Sequence, residues 1–433
     1  MCQNDPGMAD RALLAAECEA IFRETLRELS AARLVEAALA TTPLPAGRLR
    51  LLALGKAAAP MISAALGVLG DRAADALCVL PAGESPAPGA RSVHGSHPRA
   101  DESSLAAGSE ILDWADRGRG APALVLLSGG ASALAVAPVE GVSFEDKVRA
   151  VSRLMAAGLS IHQLNAVRKH LSRLKGGRLG LRLGGARAEV LVLSDVPGDD
   201  LSAIGSGPLV PDPSTFAEVA RIVADSGAAG DLPASVRSHL EAGARGERPE
   251  TPKPGDPGFT GIAHRVLAGP VQLARTAAAV AARRGFAAEA EPAPVTGAVA
   301  AFAGRAAGWA RAHAGKGRRL WAVGGEPTVR VPASAARPDG GRAQHLALLV
   351  ALEIAGLPAA FLAAGSDGRD GPTEQAGAVV DGETAARAAR IDLDVARSLS
   401  DARSGPAAVH LGAAIPRFSS GTHLCDLHLV AVE

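Results

Sequence analysis

Apolar residues recur every three to four positions over residues 9–40, which predicts a long amphipathic helical region. The period then changes. Apolar runs of strand length, LRLLAL (49–54), DALCVLP (75–81), PALVLL (122–127) and EVLVL (189–193), alternate with stretches of helical period. Those stretches are KAAAPMISAALGVL (56–69), the helix within 97–118, FEDKVRAVSRLMAAG (144–158) and HQLNAVRKHLSRLKGGRLGL (162–181), the last expected to stop near Gly176 and Gly177. This alternation predicts a parallel sheet with crossover helices. The tract 244–261 is rich in Pro, Gly and charge and reads as a connection or long loop. A second α/β pattern follows: a strand at HRVLAG, helices over 271–285 and up to 312, a pair of strands about Gly324–Gly325, a helix over 342–356, a strand at PAAFLAAG, and a last alternating strand in 423–433. The expected organisation is α/β with two domains, 9–245 and 262–433, joined through 246–261.

Composition narrows the function classes. The 433 residues are 48% hydrophobic and 21% charged, enough for a packed core. Lys+Arg and Asp+Glu both number 45, so no basic excess points to nucleic acid or an anionic membrane. With 3% aromatics and no Tyr, base-stacking surfaces are not expected. The longest apolar stretch, 121–139, is broken by Ser, Gly and Pro and does not read as a membrane span. Cys2, Cys18, Cys78 and Cys425 form no CxxC pair, and no basic flank precedes an apolar leader, so a cytoplasmic protein with reduced thiols is expected.

The unusual residues fall after predicted strands, where open α/β sheets bind ligands. The loops are LGK (54–56), LSGGAS (127–132), LSDVPGDD (193–200), GGE (324–326) and AGSDGRDGPT (364–373), and they are expected to converge on one edge or cleft. In LSGGAS, Gly129 and Gly130 let the backbone approach a ligand while Ser128 and Ser132 add hydroxyls, and a helix start there would favour an anion. Lys56 stands at a helix start, against the macrodipole unless an anion joins it; a surface lysine is the plain alternative. Asn165, Arg168, Lys169 and Ser172 have the spacing of one helical face, and with Lys175 they form either a solvated basic face or an oxyanion receptor. Asp195, Asp199 and Asp200 crowd one loop, and Asp367 and Asp370 another; such loops suit Mg²⁺, or are turns built from Asp beside Gly. His94, His97, His423, Cys425 and His428 lack zinc-finger spacing and read as turn and edge-strand residues. Neither GxGxxG nor GxxxxGK[ST] occurs. Acidic loops with Lys, Arg and Gly-rich turns fit metal-bridged phosphoryl transfer.

The motifs LGKAAAPM, HP (97–98), LLSGGASAL, LNAVRKHLSRLKGGRLG, LSDVPGDDLSAIGSGPLVPDPST, GGEPTVRV, SDGRDGPTEQAGAVVDGET and SGTHLCDL run in one order over nearly the whole chain. In them the sequence resembles the glycerate 2-kinase family (DUF4147/MOFRL). The resemblance implies a larger Rossmann-like N-terminal domain and a smaller α/β MOFRL domain, about residues 318–428. It implies ATP- and Mg²⁺-dependent phosphorylation of the 2-hydroxyl of D-glycerate, with ATP and a hydroxy acid as small-molecule partners; a homodimer stays open. By resemblance Lys56, Arg342 and Asp195 are catalytic. Ser128, Gly129, Gly130, Ser132, Asn165, Arg168, Lys169, Lys175, Gly176, Gly177, Ser206, Gly207 and Glu326 line the nucleotide and substrate, and Asp195, Asp199, Asp367 and Asp370 serve the metal. The chain departs from the family pattern at Ala131, Ala298, Ala343, His345, Ser366 and His423, where the family has Gly, Glu, Asn, Glu, Thr and Asn. Those changes keep two other readings in play, a non-catalytic binding protein and a hydroxypyruvate reductase; the latter lacks a nicotinamide fingerprint.

Overall fold

Apolar runs with no polar alternation make strands covered on both faces. The computed structural model describes residues 6–332, 335 and 338–433, with side chains from Leu13 onward. In it β1 (Leu49–Leu54), β2 (Ala73–Pro81), β3 (Arg91–Gly95), β4 (Ala123–Leu127), β5 (Ala188–Leu193) and β6 (Ile262–Ala268) form one sheet, ordered β3-β2-β1-β4-β5-β6. The pairs from β3 to β5 are parallel, and β1, β4 and β5 are buried throughout. This is the doubly wound Rossmann order. The chain moves outward from β1 to β3 and then returns to lay β4 on the other side of β1. The crevice beyond the carboxyl ends of β1 and β4 is therefore the switch point, where such folds bind ligands.

The second sheet holds β7 (Ala287–Ala290), β8 (Arg319–Gly325), β9 (Ala359–Gly365), β10 (Gln375–Asp381), β11 (Ala414–Pro416) and β12 (Asp426–Val432), in the order β11-β10-β9-β12-β8-β7. It is mixed: β7 and β8 are parallel and the remaining pairs antiparallel. The last strand, buried along its whole length, inserts between β8 and β9. Its Val430 and Val432 join Phe302, Trp321, Leu346 and Phe361 in a core shared with the helices Val299–His313 and Arg342–Glu353. The helix Pro6–Glu28 packs on β9, β10 and β12. Arg283 and Arg284 hold it through Glu17, Glu24 and Glu28.

The chain therefore divides into two compact units. An N-terminal unit takes Leu34–Leu193 and Asp199–Leu267; a C-terminal unit takes the chain up to Arg33, Ser194–Gly198 and Ala268–Glu433. The Pro-rich tract read as a connection is bonded into the N-terminal unit. Buried Asp212 accepts from Thr251 and its amide reaches Pro252, while the Phe259 ring lies so close to Gly180 that a Cβ there would meet it at 2.6 Å.

Two local expectations are corrected. The helix expected to reach Gly176 is Ile161–His170, because the Ser172 hydroxyl accepts from the amides of Leu174 and Lys175 and turns the chain out. Ser172 thus leaves the helical face it was expected to share with Asn165 and Arg168. GGEPTVRV supplies one strand, not a pair: among the described residues, a single bridge, Ala298 to Thr328, continues it after β8. Among the described residues no helix is long and apolar enough to cross a membrane.

Candidate active site

At the switch point the two strand ends are tied together. The Lys56 amide donates to the Gly129 carbonyl (2.9 Å), the Ser128 amide to the Leu54 carbonyl (3.0 Å), and the Ala57 amide to the Ser128 hydroxyl (3.0 Å). Gly55, with φ at +133°, has no room for a side chain, because a Cβ would overlap Ser128. Gly130, in the left-handed region, is flanked: a Cβ there would lie 3.1 Å from Lys56 Cγ and 3.2 Å from His97 Cδ2. The helix expected after this turn is only Ala131–Leu134, too short to supply a useful macrodipole.

The basic run separates into two groups. Lys169 is buried and paired with Asp212 at 3.3 Å. Arg168 bonds Asn165 Oδ1 (3.3 Å), which also accepts from Ser206; the Ser206 hydroxyl meets Ser132 Oγ at 2.7 Å. Lys175 Nζ donates to the Ser132 carbonyl (3.0 Å), and Lys147 Nζ, also buried, to the Leu171 carbonyl (2.8 Å). Burial, and then the charge of Arg168, push Lys175 down to about 7. Burial, with Lys175 and Arg168 beside it, drives Lys147 well below its ordinary value. The Gly176 and Gly177 amides donate to the carbonyls of Ser206 and Gly207, so these glycines shape the wall and do not present free donors.

The C-terminal unit gathers the acidic loops. His423 Nε2 lies 3.1 Å from Asp195 Oδ2, and its Nδ1 3.7 Å from Asp367 Oδ2. The Cys425 thiol donates to the Asp195 carbonyl (3.0 Å); burial and then nearby Glu326 and Asp195 hold it well above the usual thiol range. Arg342 forks onto Asp426 (2.6 and 3.1 Å) and bonds Glu326. Burial works against its charge, but Asp426 and Glu326 outweigh this and its pKa is raised. Burial and then Asp426 raise Glu326. Both Asp370 oxygens accept amides at the start of the helix Arg342–Glu353, from Ala343 (3.0 Å) and Gln344 (2.8 Å). Burial, with Asp426 close by, still pushes Asp370 up to about 7.

Of the four proposed metal aspartates, Asp195, Asp367 and Asp370 lie in the C-terminal unit and Asp199 in the N-terminal one. Among the described residues no three His, Cys, Asp or Glu side chains form a metal cage. Magnesium asks for less, one or two carboxylates with phosphate and water oxygens. Asp195 and Asp367 are brought together by His423, which contacts both carboxylates, whereas Asp370 is committed to the helix.

A family profile described as a domain of unknown function, DUF4147, matches residues 8–241, and the MOFRL family profile matches 319–426. The chain belongs to the glycerate 2-kinase family. It is 34% identical over 394 residues to a glycerate 2-kinase of Pyrococcus horikoshii, covering 89% of this chain and 88% of the relative. It is also 34% identical over 397 residues to a protein of Agrobacterium vitis named putative hydroxypyruvate reductase, covering 90% and 88%. The crystal structure of a glycerate kinase from Thermotoga maritima superposes with a TM-score of 0.85 at 31% identity, over 98% of this chain and 100% of that one.

In this member of the family, three residues of the sites escaped the sequence reading. Asp426 opens a strand buried along its whole length, and an acid at such a position signals a partner, here Arg342. Lys147 gave no signal, since it sits in an ordinary amphipathic helix. His97 was read as a turn residue and lies beside Gly130.

Proposed function

We propose that the protein transfers the terminal phosphoryl group of ATP, with Mg²⁺, to the 2-hydroxyl of D-glycerate or a close 2-hydroxy acid, giving 2-phosphoglycerate. The observation that carries this reading is Lys56 held by backbone bonds beside the SGG turn at the switch point. These bonds fix where the Lys56 side chain starts, and a cation reaching out from there would brace charge on a migrating phosphoryl group. Arg168, Lys175, Ser132 and Ser206 would receive substrate oxygens, and Asp195 and Asp367 would hold the metal, which neutralises phosphate charge when bound. By the family resemblance Arg342, forked onto Asp426 and bonded to Glu326, would be the second catalytic cation.

Reduction of hydroxypyruvate is the weaker reading. The turn after β1 reads LGKAAAP, without the glycine pattern that admits a dinucleotide pyrophosphate. The two readings separate in one experiment: ADP release from ATP, Mg²⁺ and D-glycerate, run beside NADH consumption with hydroxypyruvate. ADP release without NADH loss is expected, and the reverse overturns the proposal.

A further inference from the structure

Lys169 and His170 show how the N-terminal unit treats a buried cationic side chain. Lys169 is paired with Asp212, and His170 stands between Asp212 and Glu250. Three other cations of the same unit are treated differently. Lys147, on the helix Phe144–Ala156, and Lys175 are both buried, and each bonds through its ammonium to a main-chain carbonyl, of Leu171 (2.8 Å) and of Ser132 (3.0 Å). Arg168 bonds the neutral Asn165. What acts on these three is burial and one another's charge; among the described residues no carboxylate pairs with any of them. The acids on the adjoining elements are engaged elsewhere. Asp146 accepts from Ser235, Asp200 from Ser202, Asp212 from Lys169, Ser214 and Thr251, and Glu250 from the Phe216 amide and Lys253. His239, on the helix Ala234–Ala244, donates to the His170 carbonyl.

Uncompensated ammonium groups are costly to bury, and a lysine answers by shedding its proton or by holding an anion. Burial, and then the charge of Arg168, push Lys175 down to about 7; burial, and then Lys175 and Arg168, hold Lys147 well below its ordinary value. A second feature marks the same place. Ser206, between Gly205 and Gly207, has φ at +62°, a left-handed conformation that residues other than glycine keep chiefly at functional sites. It brings the Ser206 hydroxyl to Ser132 Oγ (2.7 Å) and to Asn165 Oδ1 (3.4 Å), the atom that also accepts from Arg168. Ser132 and Arg168 are half-buried, which leaves the group open to solvent on that side.

We propose that Lys147, Lys175 and Arg168 together form a receptor for one oxyanion, and that the anion enters with a proton, which passes from the solvent to a lysine Nζ. This rests on the kinase reading for the source of the oxyanion, the carboxylate of the hydroxy acid or a nucleotide phosphate. The chemistry is shared: an anionic oxygen supplies the counter-charge that the fold withholds.

The test is calorimetric titration of the full chain with D-glycerate, ATP–Mg²⁺ and tripolyphosphate near pH 8, in two buffers of different ionisation enthalpy, beside the Lys147→Met/Lys175→Met double variant. At that pH, about one unit above the Lys175 value, an anion that stabilises the ammonium draws a proton from the buffer. Wild type should take up protons on binding. The double variant, its folding checked by urea unfolding, should lose that uptake and bind about 10- to 100-fold more weakly, the scale of a hydrogen bond to a charged group. Uptake confined to D-glycerate assigns the carboxylate; uptake with ATP and tripolyphosphate assigns the phosphate. Binding without proton uptake overturns the proposal, as does uptake or affinity that the folded double variant keeps, and as does a wild type that binds none of the three. Lysine-dependent uptake without ADP formation would leave this inference standing and remove the kinase reading, and turnover without uptake would do the reverse.

Discussion

Gly55 and Ser128 meet so closely at the ends of β1 and β4 that no Cβ fits between them. The contact lets the Ala57 amide reach the Ser128 hydroxyl and fixes where Lys56 begins. Gly55→Ala should therefore cost about 3 kcal/mol or more, through both overlap and its positive φ. Gly47 also has a positive φ but faces open space, so Gly47→Ala should cost only about 1 kcal/mol. Urea unfolding of the two variants checks the difference.

Arg342 and Asp426 make a forked pair with Asp426 buried. Removing one partner strands the other, so Asp426→Asn should destabilise by about 2–4 kcal/mol. Arg342→Lys keeps the charge and loses the fork, so it should lower phosphoryl transfer more than stability. Denaturation midpoints beside steady-state rates separate the two effects.

Lys175 makes stability depend on pH. Its folded pKa, about 7, lies below the ordinary 10.5, so the unfolded chain binds the extra proton between those values. Stability from this group is full above 10.5 and is lost as pH falls through about 7. Lys147 works in the same direction. The Lys175 contribution should rise from about pH 6 to about pH 8; Asp370, raised to about 7, loses stability over the same range, so the Lys175 part is read as wild type minus Lys175→Met. Lys175→Met should flatten that rise, with Lys147→Met in addition flattening it further.

The parallel sheet was legible because β1, β4 and β5 are buried on both faces and leave near-continuous apolar runs, broken only by Arg50 in β1 and Glu189 in β5. Helix starts were legible where a capping pair stands in sequence, as at Ser160 with Gln163. β3, with only Gly95 buried, and the three-residue β11 carry no such signal. The break at Ser172 was hidden because a side chain overrides a continuing helical pattern. Lys56 and the SGG turn stood out as oddities after strands. The ties of Lys169 to Asp212 and Arg342 to Asp426 did not, since they join positions 43 and 84 residues apart that only the fold brings together.

The most direct measurement is ADP formation by wild type and Lys56→Met with ATP, Mg²⁺ and D-glycerate, the product read by NMR. Wild type should yield 2-phosphoglycerate, and a folded Lys56→Met should lose about 10²-fold or more in rate, the worth of one positioned charge on the phosphoryl group. Undiminished turnover by Lys56→Met, or no acid-dependent ADP from wild type, would contradict the role given to the switch-point lysine.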